Sequence, residues 1–186
     1  MGHRFDPSLI AKLDNPERRK FLPPDEILSL LEIKKQDDLA DIGCGPGYFT
    51  IPAAYLTSGA VYGVDVEPKM LETLKEKAAA AGVKNITPIQ SDAENIRLPD
   101  GSVDKAICSQ VLHEVDDLDK SIHEMKRILR PNGKLLIIEW EKKETESGPP
   151  LAERLGTSFL QKKFEQAGFQ TQITKPNPNH YIIIAY

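Results

Sequence analysis

Asp41, Gly43, Gly45 and Gly47 occupy alternate positions in the run Leu39-Ala40-Asp41-Ile42-Gly43-Cys44-Gly45-Pro46-Gly47-Tyr48. An apolar segment ends there in a carboxylate, three glycines follow, and a helical pattern continues through Phe49, Ile51, Ala53, Ala54 and Leu56. Glycine permits a sharp turn and a bare backbone, so a strand, a glycine turn and a helix in that order set a ligand against the helix N-terminus. A second carboxylate, Asp65, closes the next apolar run, where it can accept two hydrogen bonds from a vicinal diol such as ribose. Asp92 follows a third run in Gln90-Ser91-Asp92-Ala93, and a fourth ends in Ser109-Gln110-Val111-Leu112-His113. An imidazole that titrates near neutral pH is the group in this set suited to accepting a proton. The simpler readings are a structural turn for the glycines, a turn cap for Asp92 and a packing role for His113.

Such residues act together only if the strand ends converge, and the periodicity supplies that arrangement. Strands are expected over residues 38–42, 60–66, 86–90, 103–109 and 134–140, with helices over 48–56, 68–81 and 119–129 between them. Met70, Leu71, Leu74 and Ala78 share one face of the second helix, which Gly82 stops. Strands alternating with helices imply an α/β, doubly wound, mostly parallel sheet, with ligands at the carboxyl ends of the strands. The rhythm then breaks. After a helix over 157–167 come two strands, about 169–174 and 181–186, joined by Lys175-Pro176-Asn177-Pro178-Asn179 with no room for a crossover helix, so they form a C-terminal antiparallel hairpin. Ahead of the first strand, residues 1–24 carry Phe5, Leu9, Ile10, Leu13, Phe21 and Leu22, too many apolar side chains for a loose tail, and residues 25–31 read as a helix.

A chain of 186 residues with 40% hydrophobic and 28% charged residues fits one globular domain. The net charge of -4 argues against a nucleic-acid surface, and Arg18, Arg19 and Lys20 read as a solvated helix face. Two cysteines, Cys44 and Cys108, suggest neither a disulfide framework nor zinc spacing. Without a signal-like apolar run or a span-length segment, the expectation is a cytoplasmic protein that needs no membrane.

The glycine loop departs from the dinucleotide pattern G-x-G-x-x-G, because the third glycine comes one residue early and Tyr48 stands in its place. Together with Asp41 and the hairpin, it resembles the first motif of the class I S-adenosylmethionine (SAM) dependent methyltransferases of the small-molecule, type 11 kind. The likeness extends over residues 39–186 and implies their seven-stranded, Rossmann-like sheet. It implies a cofactor site made of Asp41, Gly43, Cys44, Gly45 and Gly47 under the amino acid part of SAM. Asp65 would take the ribose, with Val66 and Met70 as apolar neighbours. Ser91, Asp92 and Ala93 would meet the adenine, and Ser109 and Gln110 the sulfonium end. His113 is the candidate catalytic base, and the lone Trp140 is either a pocket floor or a core residue.

The resemblance implies methyl transfer to a small-molecule acceptor, which a second subunit in a homodimer could help to bind, and the apolar residues of segment 1–24 and its place ahead of the first strand suit it to act as a lid. Three rivals stand beside it. An NAD-type oxidoreductase fits the sheet but not the early glycine or the hairpin. A non-catalytic SAM- or S-adenosylhomocysteine-binding protein shares every cofactor motif. A metal-assisted enzyme could use Asp116, Asp117 and Asp119, although an acidic helix N-terminus explains these more simply.

Overall fold

The computed structural model describes residues 16–186, so Phe5, Leu9, Ile10 and Leu13, and the lid expected over residues 1–24 up to residue 15, lie outside the described residues. The elements run α1 (Pro16–Phe21), α2 (Pro24–Ser29), β1 (Leu39–Ile42), α3 (Thr50–Leu56), β2 (Val61–Asp65), α4 (Pro68–Ala80) and β3 (Ile86–Gln90). There follow β4 (Val103–Ser109), α5 (Leu118–Ile128), β5 (Leu129–Trp140), α6 (Thr157–Gln166), β6 (Thr171–Asn177) and β7 (His180–Ala185). The seven strands lie in the order β3-β2-β1-β4-β5-β7-β6. β1 to β5 are parallel, and β7 runs antiparallel to both β5 and β6. The chain winds outward in both directions from β1 and β4, so a crevice opens at the carboxyl ends of those two strands.

Both faces of the sheet are covered, which explains the near-continuous apolar runs of β1, β4 and β7. Ile122, Met125 and Ile128 of α5 and Leu160 and Phe164 of α6 pack on one face against Cys108, Ile137 and Ile183. Ile27, Leu28, Ala53 and Ala54 of α2 and α3 cover the other, against Ile107, Leu136 and Ile182. The helix ends follow local chemistry. Glu67 caps α4 ahead of Pro68 and accepts from the Lys69 N–H, and Asp117 caps α5 by accepting from the Lys120 N–H.

β5 begins earlier than the Pro131-Asn132-Gly133 turn suggested, because Leu129 pairs with Val103 before the register shifts between Val103 and Lys105. Asn132 absorbs the irregularity at φ 65°. Beside it, Arg130 donates to both Asp104 and Asp38, tying β5 to β4 and to the segment entering β1 at the end of the sheet remote from the crevice.

Leu74 joins α4 to the sheet and the glycine loop. A Cβ at Gly47 would stand 2.6 Å from its Cδ1, and a Cβ at Gly63 would stand 2.5 Å from its Cδ2. The two glycines are therefore the space into which one buried leucine fits. Leu74→Ala should cost about 2–5 kcal/mol by opening a cavity, and Gly63→Ala about 1–3 kcal/mol by overpacking. The double variant should cost less than the sum, because the new methyl occupies part of the vacated volume. Urea unfolding of the four proteins checks this, and strict additivity would contradict the wedge.

Candidate functional site

The glycine turn leaves β1 with Gly43, Gly45 and Gly47 at φ 69°, 52° and 94°, a backbone course that side chains with a Cβ resist. Gly43 and Cys44 donate to the Val64 carbonyl of the neighbouring strand, and α3 starts two residues after Tyr48. Val111, just past β4, packs directly on the turn, since a Cβ at Gly43 would lie 2.1 Å from its Cγ2. The β4 exit and the glycine turn thus form one surface.

Asp41 lies buried at the end of β1, and the Thr50 hydroxyl donates to it at 2.6 Å. Burial pushes its carboxyl up to about 7, outweighing what Thr50 restores. Asp65 ends β2. Its Oδ2 accepts from the Gly45 N–H at 2.8 Å and its Oδ1 from the Glu67 N–H at 2.9 Å. Burial raises its carboxyl while those two donors oppose the rise. The carboxylate keeps lone-pair capacity beyond the N–H groups of Gly45, Glu67 and Val66 that engage it, which fits a hydroxyl arriving from the crevice.

The remaining expected cofactor residues divide. Val66 is exposed beside Asp65, while Met70 is buried on α4. Cys44 faces inward against Leu71 and Leu74, and burial raises its thiol well above the ordinary range. Asp92 is exposed and accepts from the Glu94 N–H, with Ala93 buried beneath it. Ser91 donates to the Asn95 carbonyl and accepts from the Arg97 N–H, so its hydroxyl is engaged in shaping that turn. Ser109 is buried at the tip of β4 and its hydroxyl finds no partner among the described residues. Gln110 follows at φ 60°, the left-handed region in which a glutamine is strained.

A polar chain holds Gln110 there. Arg18 donates to its Oε1 at 3.1 Å, and its amide nitrogen lies 3.0 Å from His180 Nε2. His180 Nδ1 lies 2.9 Å from Asn177 Oδ1, and Asn177 donates in turn to the Phe21 carbonyl. Burial lowers His180 to about 4, helped by the charges of Arg18 and Arg154. It is therefore neutral at pH 7, donating from Nδ1 and accepting at Nε2. The Arg18 guanidinium also lies 4.2 Å from the centre of the Tyr48 ring. The basic triplet is not simply a solvated face, then, because Arg18 docks α1 onto the site.

His113 lies in a tight turn before α5. Its Nδ1 stands 2.8 Å from Glu139 Oε2, with both side chains almost fully buried, at 5% and 1% exposed. Burial alone would lower the imidazole, but the hydrogen bond and charge of Glu139 and the charges of Glu114 and Glu153 together outweigh it and raise the group above its ordinary value. Sequence reasoning did not pair Glu139 with His113, and it missed His180 and Asn177 as site residues. The available signal was a lone carboxylate closing the apolar run Leu135–Ile138. Trp140 is sandwiched rather than open. Its ring centre lies 4.2 Å from that of His180, and a Cβ at Gly148 would stand 3.0 Å from the indole. The polar stretch 141–150 is no slack linker, since buried Arg154 donates to the carbonyls of Glu141, Lys143, Ser147 and Pro149 and to the Thr145 hydroxyl.

Asp41 generates a pH dependence with a defined sign. The folded state holds the proton up to about pH 7, whereas the unfolded chain releases it near pH 3.9. Its contribution to stability is therefore fully present below pH 4 and is lost as pH rises to about 7. Asp41→Asn should flatten this decline and raise stability at pH 8 by as much as about 4 kcal/mol, read from urea midpoints across pH 4–8. An unchanged slope would contradict the assignment.

Residues 40–137 match the family model described as a methyltransferase domain. The fold superposes on a SAM-dependent methyltransferase from Aquifex aeolicus with a TM-score of 0.92, at 30% identity over 98% of both chains. A ubiquinone/menaquinone biosynthesis C-methyltransferase from Pasteurella multocida is 35% identical over 113 residues, 59% of this chain and 42% of that protein, so the chain spans less than half the length of that relative. The [4+2]-cyclase SpnF shares the fold alone, with a TM-score of 0.78 at 19% identity over 88% of this chain and 79% of that one. Among the described residues no helix is long and apolar enough to cross a membrane. The matched motifs and the full-length structural likeness establish that the chain belongs to the class I SAM-dependent methyltransferases, in the type 11 methyltransferase family.

Proposed function

We propose that this protein transfers the methyl group of SAM to a small-molecule acceptor in the cytoplasm. The observation that carries the reading is Asp65, whose carboxylate is pinned to the Gly45 and Glu67 N–H groups at the mouth of the crevice with lone pairs to spare. The glycine turn brings backbone at positive φ to that mouth, and the Ser109 hydroxyl is buried at the same edge without a partner among the described residues. These features suit SAM: Asp65 for the ribose hydroxyls, Val66 and Met70 for the adenine face, Asp92 and the Ala93 N–H for its edge. Asp41, Gly43 and Gly47 would lie beneath the amino acid part, and Ser109 and Gln110 beside the sulfur. SAM supplies an already electrophilic methyl, so the chain's task is to align the nucleophile and exclude water.

His113 is the base in this reading, two residues beyond the valine that packs on the glycine turn. That buried, carboxylate-paired imidazole favours an enzyme over a protein that merely binds SAM. The name of the Pasteurella relative, a ubiquinone/menaquinone biosynthesis C-methyltransferase, supports a small-molecule acceptor, and the short segments on the acceptor side support a small acceptor or a site completed by a second copy of the chain.

Calorimetric titration of SAM, S-adenosylhomocysteine and NAD into the purified protein tests the cofactor site. The two sulfur ligands should bind and NAD should not. Asp65→Ala should weaken SAM at least tenfold, corresponding to about 1.4 kcal/mol, since it removes the diol acceptor and frees the Gly45 N–H. Asp65→Asn, which keeps one acceptor oxygen, should fall between. Binding of NAD alone, or equal SAM affinity in all three proteins, would overturn the reading.

A further inference from the structure

Glu139 is the most deeply buried carboxylate on the acceptor side of the fold, and only half of it is accounted for. Its Oε2 meets His113 Nδ1 at 2.8 Å and the Trp140 N–H at 3.3 Å. Its Oε1 is buried with no hydrogen-bond partner among the described residues. A carboxylate buried in this way is costly, and a purely structural residue at the end of an apolar strand would more cheaply be apolar. The register explains what it faces. Glu139 pairs with Tyr181 of β7 and lies on the sheet face that carries Cys108 and Ile137, beneath the turn bearing His113.

We propose that Glu139 is a positioning residue for His113: it holds the Nδ1–H and so leaves the Nε2 lone pair to take the proton of a hydroxyl group on the acceptor. The inference rests on the methyltransferase reading for its purpose, though not for its geometry. The groups around the pair are few. Glu139 comes from β5, Glu114 from His113's own turn at 3.7 Å from Nε2, and Glu153 from the segment before α6. Cys108 of β4 and Tyr181 of β7 flank Glu139, and the Tyr181 hydroxyl is spent on the Leu155 carbonyl. The carboxylates raise the affinity of His113 for a proton against the effect of burial.

This surrounding also narrows the acceptor. A carboxylate or phosphate acceptor is ionised at pH 7, needs no base and would meet Glu114, Glu139 and Glu153. A neutral hydroxyl on an aromatic or enolic carbon keeps its proton at that pH yet lies within reach of an imidazole base, since a phenol titrates near 10. In the step, the acceptor's O–H bond breaks and its proton passes to Nε2. The oxygen pair forms the new bond to the transferred carbon, and the electrons of the old carbon–sulfur bond stay on sulfur.

The test begins without cofactor. Nitrogen-15 NMR of the full-length protein between pH 5 and 9 reads the tautomer and the titration of His113 in the wild type, Glu139→Gln and Glu139→Asp. The wild type should carry the proton on Nδ1 and titrate above 6.5. Glu139→Gln should bind the proton at least tenfold more weakly. Glu139→Asp, which keeps the charge on a shorter reach and guards against a variant that fails to fold, should fall between. Protonation on Nε2 in the wild type, or superimposable titrations, would overturn the proposal.

Calorimetry with SAM should give the same Kd within about twofold for the wild type and Glu139→Gln. If the wild type fails to bind SAM, the methyltransferase reading falls while the tautomer still decides the role of Glu139. With simple phenols as probes, Glu139→Gln should lower kcat at pH 7 by about 10- to 100-fold with KM little changed, and should move the acid limb of the rate profile to lower pH. An unmoved limb would overturn the positioning role, and wild-type inertness toward every phenol would overturn the hydroxyl acceptor.

Discussion

The Asp65 carboxylate is the point on which the cofactor half of the structure depends. Parallel strands deliver their carboxyl ends to one edge, but nothing in a sheet fixes the loops that leave those ends. Asp65 does so by accepting from Gly45 of one loop and Glu67 of the next, so that the first and second crossovers share one anchor. Hydrogen bonds to a carboxylate are about twice as strong as neutral ones, and here they hold a backbone course that positive φ values would otherwise make costly. Leu74 serves the same end from below by filling the space that two glycines leave, one in the loop and one in β2.

The edge beyond β4 is built on a different plan. There, side chains from distant parts of the sequence do the fixing. Arg18, Gln110, His180, Asn177 and the Phe21 carbonyl form a continuous polar chain from α1 across the end of β4 to the β6–β7 turn and back to α1. The antiparallel course of β7 makes this possible, because it brings the start of that strand, Trp140 opposite His180, to the edge where the parallel strands end. The strained backbone of Gln110 costs on the order of 1–3 kcal/mol and is sustained by bonds at both ends of its amide.

The sequence was most legible where local pattern determines structure. The strand and helix order, the glycine turn, the Gly82 stop and the terminal hairpin all arise from short-range periodicity and turn chemistry, and each is present in the fold. Cys44 and Ser91 show the boundary of that approach. Both lie beside the cofactor motifs, yet one thiol faces the core and one hydroxyl is occupied by its own turn, distinctions that depend on a single rotamer. The Glu139–His113 pair was illegible for another reason. The two residues are separated by 26 positions and by a whole crossover, and only the register of β4 on β5 brings them together. Arg18 likewise looked like surface until the Tyr48 ring and the Gln110 amide were placed beneath it.

Arg154 bears on how such a protein diversifies. Its guanidinium organises the stretch after β5 almost wholly through main-chain carbonyls, with Thr145 the one side chain engaged. The side chains of residues 142–144, 146 and 147 are exposed. The path of the loop is thus encoded largely by the one arginine that follows it and not by the loop's own outward-facing residues. Substitutions along it can change the chemistry presented beside Trp140 while its shape persists, so this stretch can vary in sequence without a toll on folding.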